Sequence, residues 1–104
     1  MTDWVEEYRK AVAGLTDDPE DEFGLSFALS VRDDVKRAGV GKNKKVRQAD
    51  RDLIRSARKA IGDPLMIEDG PEWWDNIEDI ARGKYPLEKL PEHVRELARE
   101  LYYK

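Results

Sequence analysis

The chain has 104 residues, of which 39% are hydrophobic and 40% are charged, and its formal net charge is −4. This length predicts one domain over residues 1–104 with a single modest core. The absence of cysteine excludes disulfides and thiolate metal sites. Acids stand where a secretion signal would be basic, and no apolar run approaches the roughly 20 residues of a membrane span. We therefore expect a soluble, cytoplasmic protein with no membrane contact.

The charges form three blocks along the sequence. Residues 1–34 carry a net charge of −7, residues 35–62 carry +8, and residues 63–104 carry −5. A local excess of this size creates an electrostatic field that the small total conceals. The basic block is therefore the feature of the sequence that points to a binding site.

The N-terminal block is predicted to form a helix followed by a linker. Between Asp3 and Gly14, hydrophobic residues recur at spacings of three and four, which defines one apolar face of a helix. Thr2 or Asp3 is available as the N-cap of this helix. Residues 17–22 contain five acids and one proline, a composition typical of a solvated turn.

Residues 23–31 are compatible with two structures. Hydrophobic and small or polar residues alternate there, as they do in a half-buried strand. No other part of the chain alternates in this way, so such a strand would lack a clear partner. A helical stripe that includes Phe27, Val31 and Val35 continues beyond the segment, and Gly39 can end the helix. We favour the helix and keep a short extended segment at 23–31 as the alternative.

The clearest amphipathic pattern lies at residues 46–61. Projection at 100° per residue separates an apolar arc from a basic arc. The apolar arc consists of Leu53, Ile54, Ala57, Ala60 and Ile61. The basic arc consists of Arg47, Arg51, Arg55, Arg58 and Lys59. These positions predict a helix whose apolar side faces the core and whose basic side faces solvent.

Two further helices are predicted in the C-terminal block, one opened by Pro71 and ended by Gly83, the other opened by Pro91. Adjacent Trp73 and Trp74 are not predicted to form a base-stacking platform, because neighbours on a helix point about 100° apart. Trp73 is interpreted as a core residue, whereas Trp74 is expected to be partly buried or free for a partner. The chain is thus predicted to be a compact all-α bundle of four to five short helices. The expected core consists of Trp4, Tyr8, Phe27, Val31, Leu53, Ala57, Trp73, Ile77, Leu97 and Leu101.

No catalytic or cofactor motif is complete. Residues 24–28 approximate a nucleophile elbow, but the sole histidine, His93, is predicted to lie on the solvated side of a charged helix. Residues 39–42 lack the spacing and the hydroxyl residue of a phosphate-binding loop. The acidic residues 17–22 lack the glycine of a calcium loop. We therefore expect a protein that is not an enzyme and that uses no metal or cofactor.

The basic block is predicted to contact phosphates. Arg47, Arg51, Arg55 and Arg58 recur at spacings of four, four and three, which spans about 16 Å along a helix. Lysines in the preceding loop widen this row. The predicted nucleic-acid-binding residues are Lys42, Lys44, Lys45, Arg47, Arg51, Arg55, Arg58 and Lys59. Residues 35–49 faintly resemble a helix-turn-helix, but Lys45 stands where that unit has an apolar residue, so no base contacts are assigned.

Three interpretations of the basic row remain open at this stage. Phosphate contact predicts a small non-enzymatic nucleic-acid-binding or regulatory protein, with DNA and RNA undistinguished. Alternatively, the cations pair with the chain's own acids or with a second copy in a homodimer, or they bind an acidic partner. A different function is that of an acidic inhibitor or adaptor, of the antitoxin, immunity or anti-defence type. Such a protein would bind a basic protein partner through residues 17–22 or 72–79.

Overall fold

The computed structural model describes residues 2–18, 24–60 and 70–103, and within these ranges it contains five α-helices, two short 3₁₀ segments and no β-strand. The α-helices are α1 (Trp4–Asp17), α2 (Gly24–Arg37), α3 (Lys44–Ala60), α4 (Ile77–Ala81) and α5 (Glu92–Tyr102). The 3₁₀ segments are Trp73–Asn76 and Leu87–Lys89. The prediction of an all-α bundle of four to five helices is therefore confirmed.

The described part of residues 23–31, for which a helix and a strand were both considered, is helical. Residues 24–31 lie in the first half of α2, so an extended structure is wrong for them, while residue 23 lies outside the described residues. The helix continues to Arg37, as expected from an apolar stripe that extends beyond the alternating region.

The helix ends follow local capping rules. Asp3 caps α1 by accepting a hydrogen bond from the backbone N–H of Glu6 at 3.3 Å. Gly39 (φ 75°) ends α2, and its N–H donates to the carbonyl of Lys36 while the next N–H donates to the carbonyl of Val35. Gly83 (φ 71°) ends α4 with the same pattern. Both glycines were predicted as helix stops from the sequence.

Helix α3 occupies a central position in the packing. It contacts α1 on one side and α4 and α5 on the other, while α1 also packs against α2. The largest fully buried side chains come from every α-helix and from the segment before α5, and include Tyr8, Leu15, Leu25, Val35, Leu53, Ile54, Ile77, Ile80, Leu90 and Val94. Because α3 is packed on both sides, only one strip of its surface remains open to solvent.

The predicted core is wrong at two positions. Phe27 is 56% exposed and Leu101 is 41% exposed. The buried face of α2 is centred near Leu25 and includes Arg32, and Phe27 lies about 200° around the helix from Leu25. At the C-terminus, the half-buried Tyr102 packs against the core beside the exposed Leu101.

The tryptophan pair lies in the 3₁₀ segment that precedes α4. Trp73 and Trp74 are 6% and 3% exposed, and their rings meet edge to face at 5.6 Å. Glu72 and Asp75 form a reciprocal capping box at the start of this segment. The interpretation of Trp73 as a core residue is confirmed. Trp74, expected to be partly buried or free for a partner, is buried as well, so neither ring offers a flat surface to a nucleic-acid base.

Candidate nucleic-acid interface

A buried carboxylate lies beneath the solvent-exposed strip of α3. Asp50 is fully buried, with one carboxylate oxygen accepting hydrogen bonds from the Tyr8 hydroxyl at 2.5 Å and from Arg32 Nε at 2.9 Å. The other oxygen lies 3.3 Å from Arg32 Nη2 and 2.9 Å from His93 Nε2. Four hydrogen bonds from α1, α2 and α5 therefore converge on one residue of α3 and fix the orientation of this helix.

The prediction that His93 is an ordinary solvated residue is wrong. Its side chain is only 17% exposed and is paired with Asp50. Arg32 was not predicted from the sequence to take part in any site. Its guanidinium is buried, paired with Asp50 and stacked 4.2 Å from the ring centre of Trp74. A signal for this cluster was present, because helical projection puts Asp50 on the arc of α3 that carries Leu53 and Ala57, where an unpaired charge would be costly.

Both carboxylate oxygens of Asp50 have hydrogen-bond partners within the protein, so the cluster suits a structural role. Burial is the largest cause that raises the pKa of Tyr8 well above its ordinary value of 10.0, and the negative charge of Asp50 raises it further. The hydroxyl thus remains protonated and donates to the carboxylate. With Arg32 and His93 completing the carboxylate's contacts, the cluster holds three helices against α3 and leaves its outer strip facing solvent.

The predicted basic residues are mostly exposed along that outer strip. Seven of the eight have exposed side chains, and Arg51 is partly covered. Two of the eight have a carboxylate partner among the described residues: Arg55 is 2.8 Å from Asp52, and Lys45 is 3.7 Å from Glu6. The other six make no ion pair within residues 2–18, 24–60 and 70–103. Those six are Lys42, Lys44, Arg47, Arg51, Arg58 and Lys59.

Two arginines of the row are held by neutral groups. Arg51 Nε donates to the backbone carbonyl of His93 at 3.0 Å, and Arg58 Nη2 donates to that of Ala81 at 3.2 Å. The Arg58 guanidinium also lies 4.8 Å from the ring centre of Tyr102. Carbonyls and aromatic faces orient a guanidinium without cancelling its charge. The two side chains are therefore positioned on the surface and remain available to an anion.

The acidic surface proposed for the alternative function is largely engaged within the chain. Glu72 pairs with Lys36, and Glu78 pairs with Arg82 at 2.7 Å. Asp75 accepts from the backbone N–H of Glu72, and burial together with the negative charge of Asp33 raises the pKa of its carboxyl. In the other acidic segment, residues 17 and 18 are exposed, and residues 19–22 lie outside the described residues.

The described residues contain no group of three or more His, Asp or Glu that could hold a metal ion. None of the helices in the same ranges is both long and apolar enough to cross a membrane. We compared the chain with models of protein families, with curated proteins and with solved structures, and nothing matched in any of the three comparisons. Any function proposed for the chain therefore depends on its own residues and their geometry.

Proposed function

We propose that the protein binds the phosphate backbone of nucleic acid through the basic strip of α3 and the loop before it, without catalysing a reaction. The observation that carries this proposal is that most cations of the strip lack a carboxylate partner within the described ranges. Six of its eight cations have no carboxylate partner among the described residues, and the two that are most constrained are held by neutral groups. Unneutralised cations at fixed helical spacing suit a polyanion whose charges also repeat.

Backbone contact is favoured over base stacking. Single-strand binders stack bases on exposed aromatic rings, whereas Trp73 and Trp74 are buried. Tyr102, which lies next to the strip, is partly buried and carries the Arg58 guanidinium at its ring. The exposed Phe27 belongs to α2 and lines a groove between α1 and α2. The strip of α3 therefore offers charge without an open aromatic surface.

Fluorescence anisotropy with a labelled duplex of about 20 base pairs, and with one of its strands, tests the proposal. The double variant Lys44→Glu/Arg47→Glu suits this test because neither residue makes an ion pair in the described ranges. We expect affinity to fall by about 10-fold or more, because phosphate contacts are lost and their counterions are no longer released, and the magnitude of the salt slope should fall by about 0.9 for each lost contact. The matched control is Lys84→Glu/Lys89→Glu, which makes the same change of charge outside α3.

Equal weakening by both double variants would mean that only the total charge matters, and the strip would then not be the binding site. Unchanged binding of both probes by Lys44→Glu/Arg47→Glu would likewise contradict the proposal. Circular dichroism of each variant verifies that the helices are retained, since both pairs are exposed and their replacement should change stability little.

A further inference from the structure

A groove between α1 and α3 runs beside the basic strip. Its walls carry three cations, Arg9 and Lys10 from α1 and Lys45 from α3, and two carboxylates, Glu6 and Asp52, with small alanine side chains between them. Asp52 pairs with Arg55 at 2.8 Å. Only Lys45 belongs to the set predicted from the basic block, because Arg9 and Lys10 lie in the acidic N-terminal block of the sequence. The fold therefore places cations from two differently charged blocks on one groove.

One carboxylate occupies two of these cations. Glu6 Oε1 lies 2.6 Å from Arg9 Nη1 and 3.7 Å from Lys45 Nζ, so a single oxygen joins the two walls. The side chains are 38%, 47% and 62% exposed, respectively. Ion pairs as exposed as these are weak, because water and salt screen them. A backbone phosphodiester carries one negative charge, as the carboxylate does. When the α3 strip binds the neighbouring phosphates, this phosphodiester is held at high effective concentration beside the groove and can therefore replace the weakly held carboxylate.

Lys10 differs from its two neighbours in the groove. It is exposed and makes no ion pair among the described residues. On α3, Lys45 is about 100° around the helix from Lys44, which places it at the edge of the basic strip nearest to α1. The groove thus extends the strip sideways onto a second helix.

We propose that the groove is the second half of the nucleic-acid site, where Arg9, Lys10 and Lys45 bind a phosphate adjacent to those bound by the α3 strip. Glu6 competes with that phosphate for Arg9 and Lys45 and thereby limits the affinity. This inference rests on the proposed function, and it adds to it a second helix and an inhibitory carboxylate. The small alanine side chains in the groove leave room for a sugar-phosphate backbone to approach.

The inference predicts a gain of binding on removal of one charge. Glu6→Gln should tighten binding of the same duplex by about 3-fold to 10-fold and steepen its salt slope by about one, because two cations are released to phosphate. Glu7→Gln is the matched control. It removes an adjacent first-turn carboxylate that lines the neighbouring groove between α1 and α2, which shares Lys10 with this groove, and Glu7 makes no ion pair with any described cation. The control should change affinity by less than about 2-fold, which reports the long-range effect of one charge.

The opposite change is Lys10→Glu, which should weaken binding by about 5-fold or more. Equal effects of Glu6→Gln and Glu7→Gln would overturn the inference, as would normal binding by Lys10→Glu when Lys44→Glu/Arg47→Glu binds poorly. The proposed function would survive both of those results. If Lys44→Glu/Arg47→Glu binds like the wild type, or the wild type binds neither probe, the proposed function fails and this inference fails with it.

Discussion

Helix α3 carries a buried charged residue on its inner face and exposed charged residues on its outer face. On the inner face, Asp50 is fully buried and receives hydrogen bonds from Tyr8, Arg32 and His93. On the outer face, six of the eight cations predicted for binding have no carboxylate partner among the described residues. One helix thus contains a buried charge with four hydrogen bonds from the fold and, within the described ranges, a row of exposed cations most of which have no carboxylate partner.

The two sets of charges can therefore do different things. A buried ion with every acceptor used fixes the relative positions of α1, α2, α3 and α5, and it has no capacity left for a ligand. Exposed cations contribute little to stability and retain their capacity to bind an anion. We therefore expect substitutions on the inner face to change stability and substitutions on the outer face to change binding.

The largest expected effect is that of Asp50→Asn. Loss of the carboxylate charge leaves the Arg32 guanidinium buried without a counter-charge, and we expect the free energy of unfolding to fall by about 3 kcal/mol or more. Urea denaturation followed by circular dichroism measures the loss. The control is Asp52→Asn, which removes an exposed partner of Arg55 and should cost less than about 1 kcal/mol.

A second variant covers the case in which Asp50→Asn does not fold. Replacement of the charges together with the phenol in Tyr8→Phe/Arg32→Met/Asp50→Leu removes the uncompensated ion and the buried hydroxyl that would lose its acceptor, so the triple variant should be more stable than Asp50→Asn. A triple variant as unstable as the single one, or an Asp50→Asn protein as stable as Asp52→Asn, would contradict the assignment of the inner face.

An intermediate effect is expected for Tyr8→Phe, which removes one donor to Asp50. The cost should be about 1–3 kcal/mol near neutral pH, typical of a buried hydrogen bond to a charged group. The pKa of Tyr8 is raised in the folded state, so the unfolded chain loses the phenol proton first as pH rises above 10.0. The stability contributed by Tyr8 is therefore complete below that pH and is lost as pH rises through the folded-state pKa.

Urea midpoints at about pH 8 and about pH 11 test this linkage. The difference in stability between the wild type and Tyr8→Phe should shrink at the higher pH, since the other tyrosines are common to both proteins. A constant difference across that interval would argue against the hydrogen bond between the protonated phenol and Asp50.

The smallest effect on stability is expected on the outer face. Lys44→Ala/Arg47→Ala removes two exposed cations that make no ion pair in the described part of the chain, so the free energy of unfolding should change by less than about 0.5 kcal/mol per site. Thermal melts of this variant beside Asp52→Asn provide the comparison. A loss comparable to that of Tyr8→Phe would show that the outer cations support the fold.

Local patterns were sufficient to predict the helices but not all of the core. Glycine and capping residues marked the helix ends, and periodicity marked the long helices. Phe27 was misplaced because Arg32, five residues later, belongs to the buried face of α2. An arginine is buried there only because Asp50 pairs with it, and that partner is 18 residues away in sequence. Helical projection marks Asp50 as an inward-facing charge, but it does not identify Arg32 as the partner, because a contact at such a separation leaves no local pattern.

The candidate site, too, was predictable where local sequence patterns decide the structure and not where helix packing decides it. Helical projection predicted which side of α3 carries its cations, and the pairing of Asp52 with Arg55 spans only three residues. The hydrogen bond from Arg51 to the carbonyl of His93 depends on how α5 packs. The groove between α1 and α3 also depends on how helices pack. The charge blocks of the sequence therefore do not show that Arg9 and Lys10 lie beside Lys45.

Phosphate binding by the outer face of α3 is best tested by the salt dependence of nucleic-acid binding by the wild-type protein. If the outer face of α3 binds phosphates, a plot of log affinity against log salt concentration should be linear for the duplex probe. Its slope should be steeper than about −3, since each of several cations contributes about −0.9. A slope near zero, or no binding at low salt, would contradict the claim that the outer face of α3 is a phosphate-binding surface.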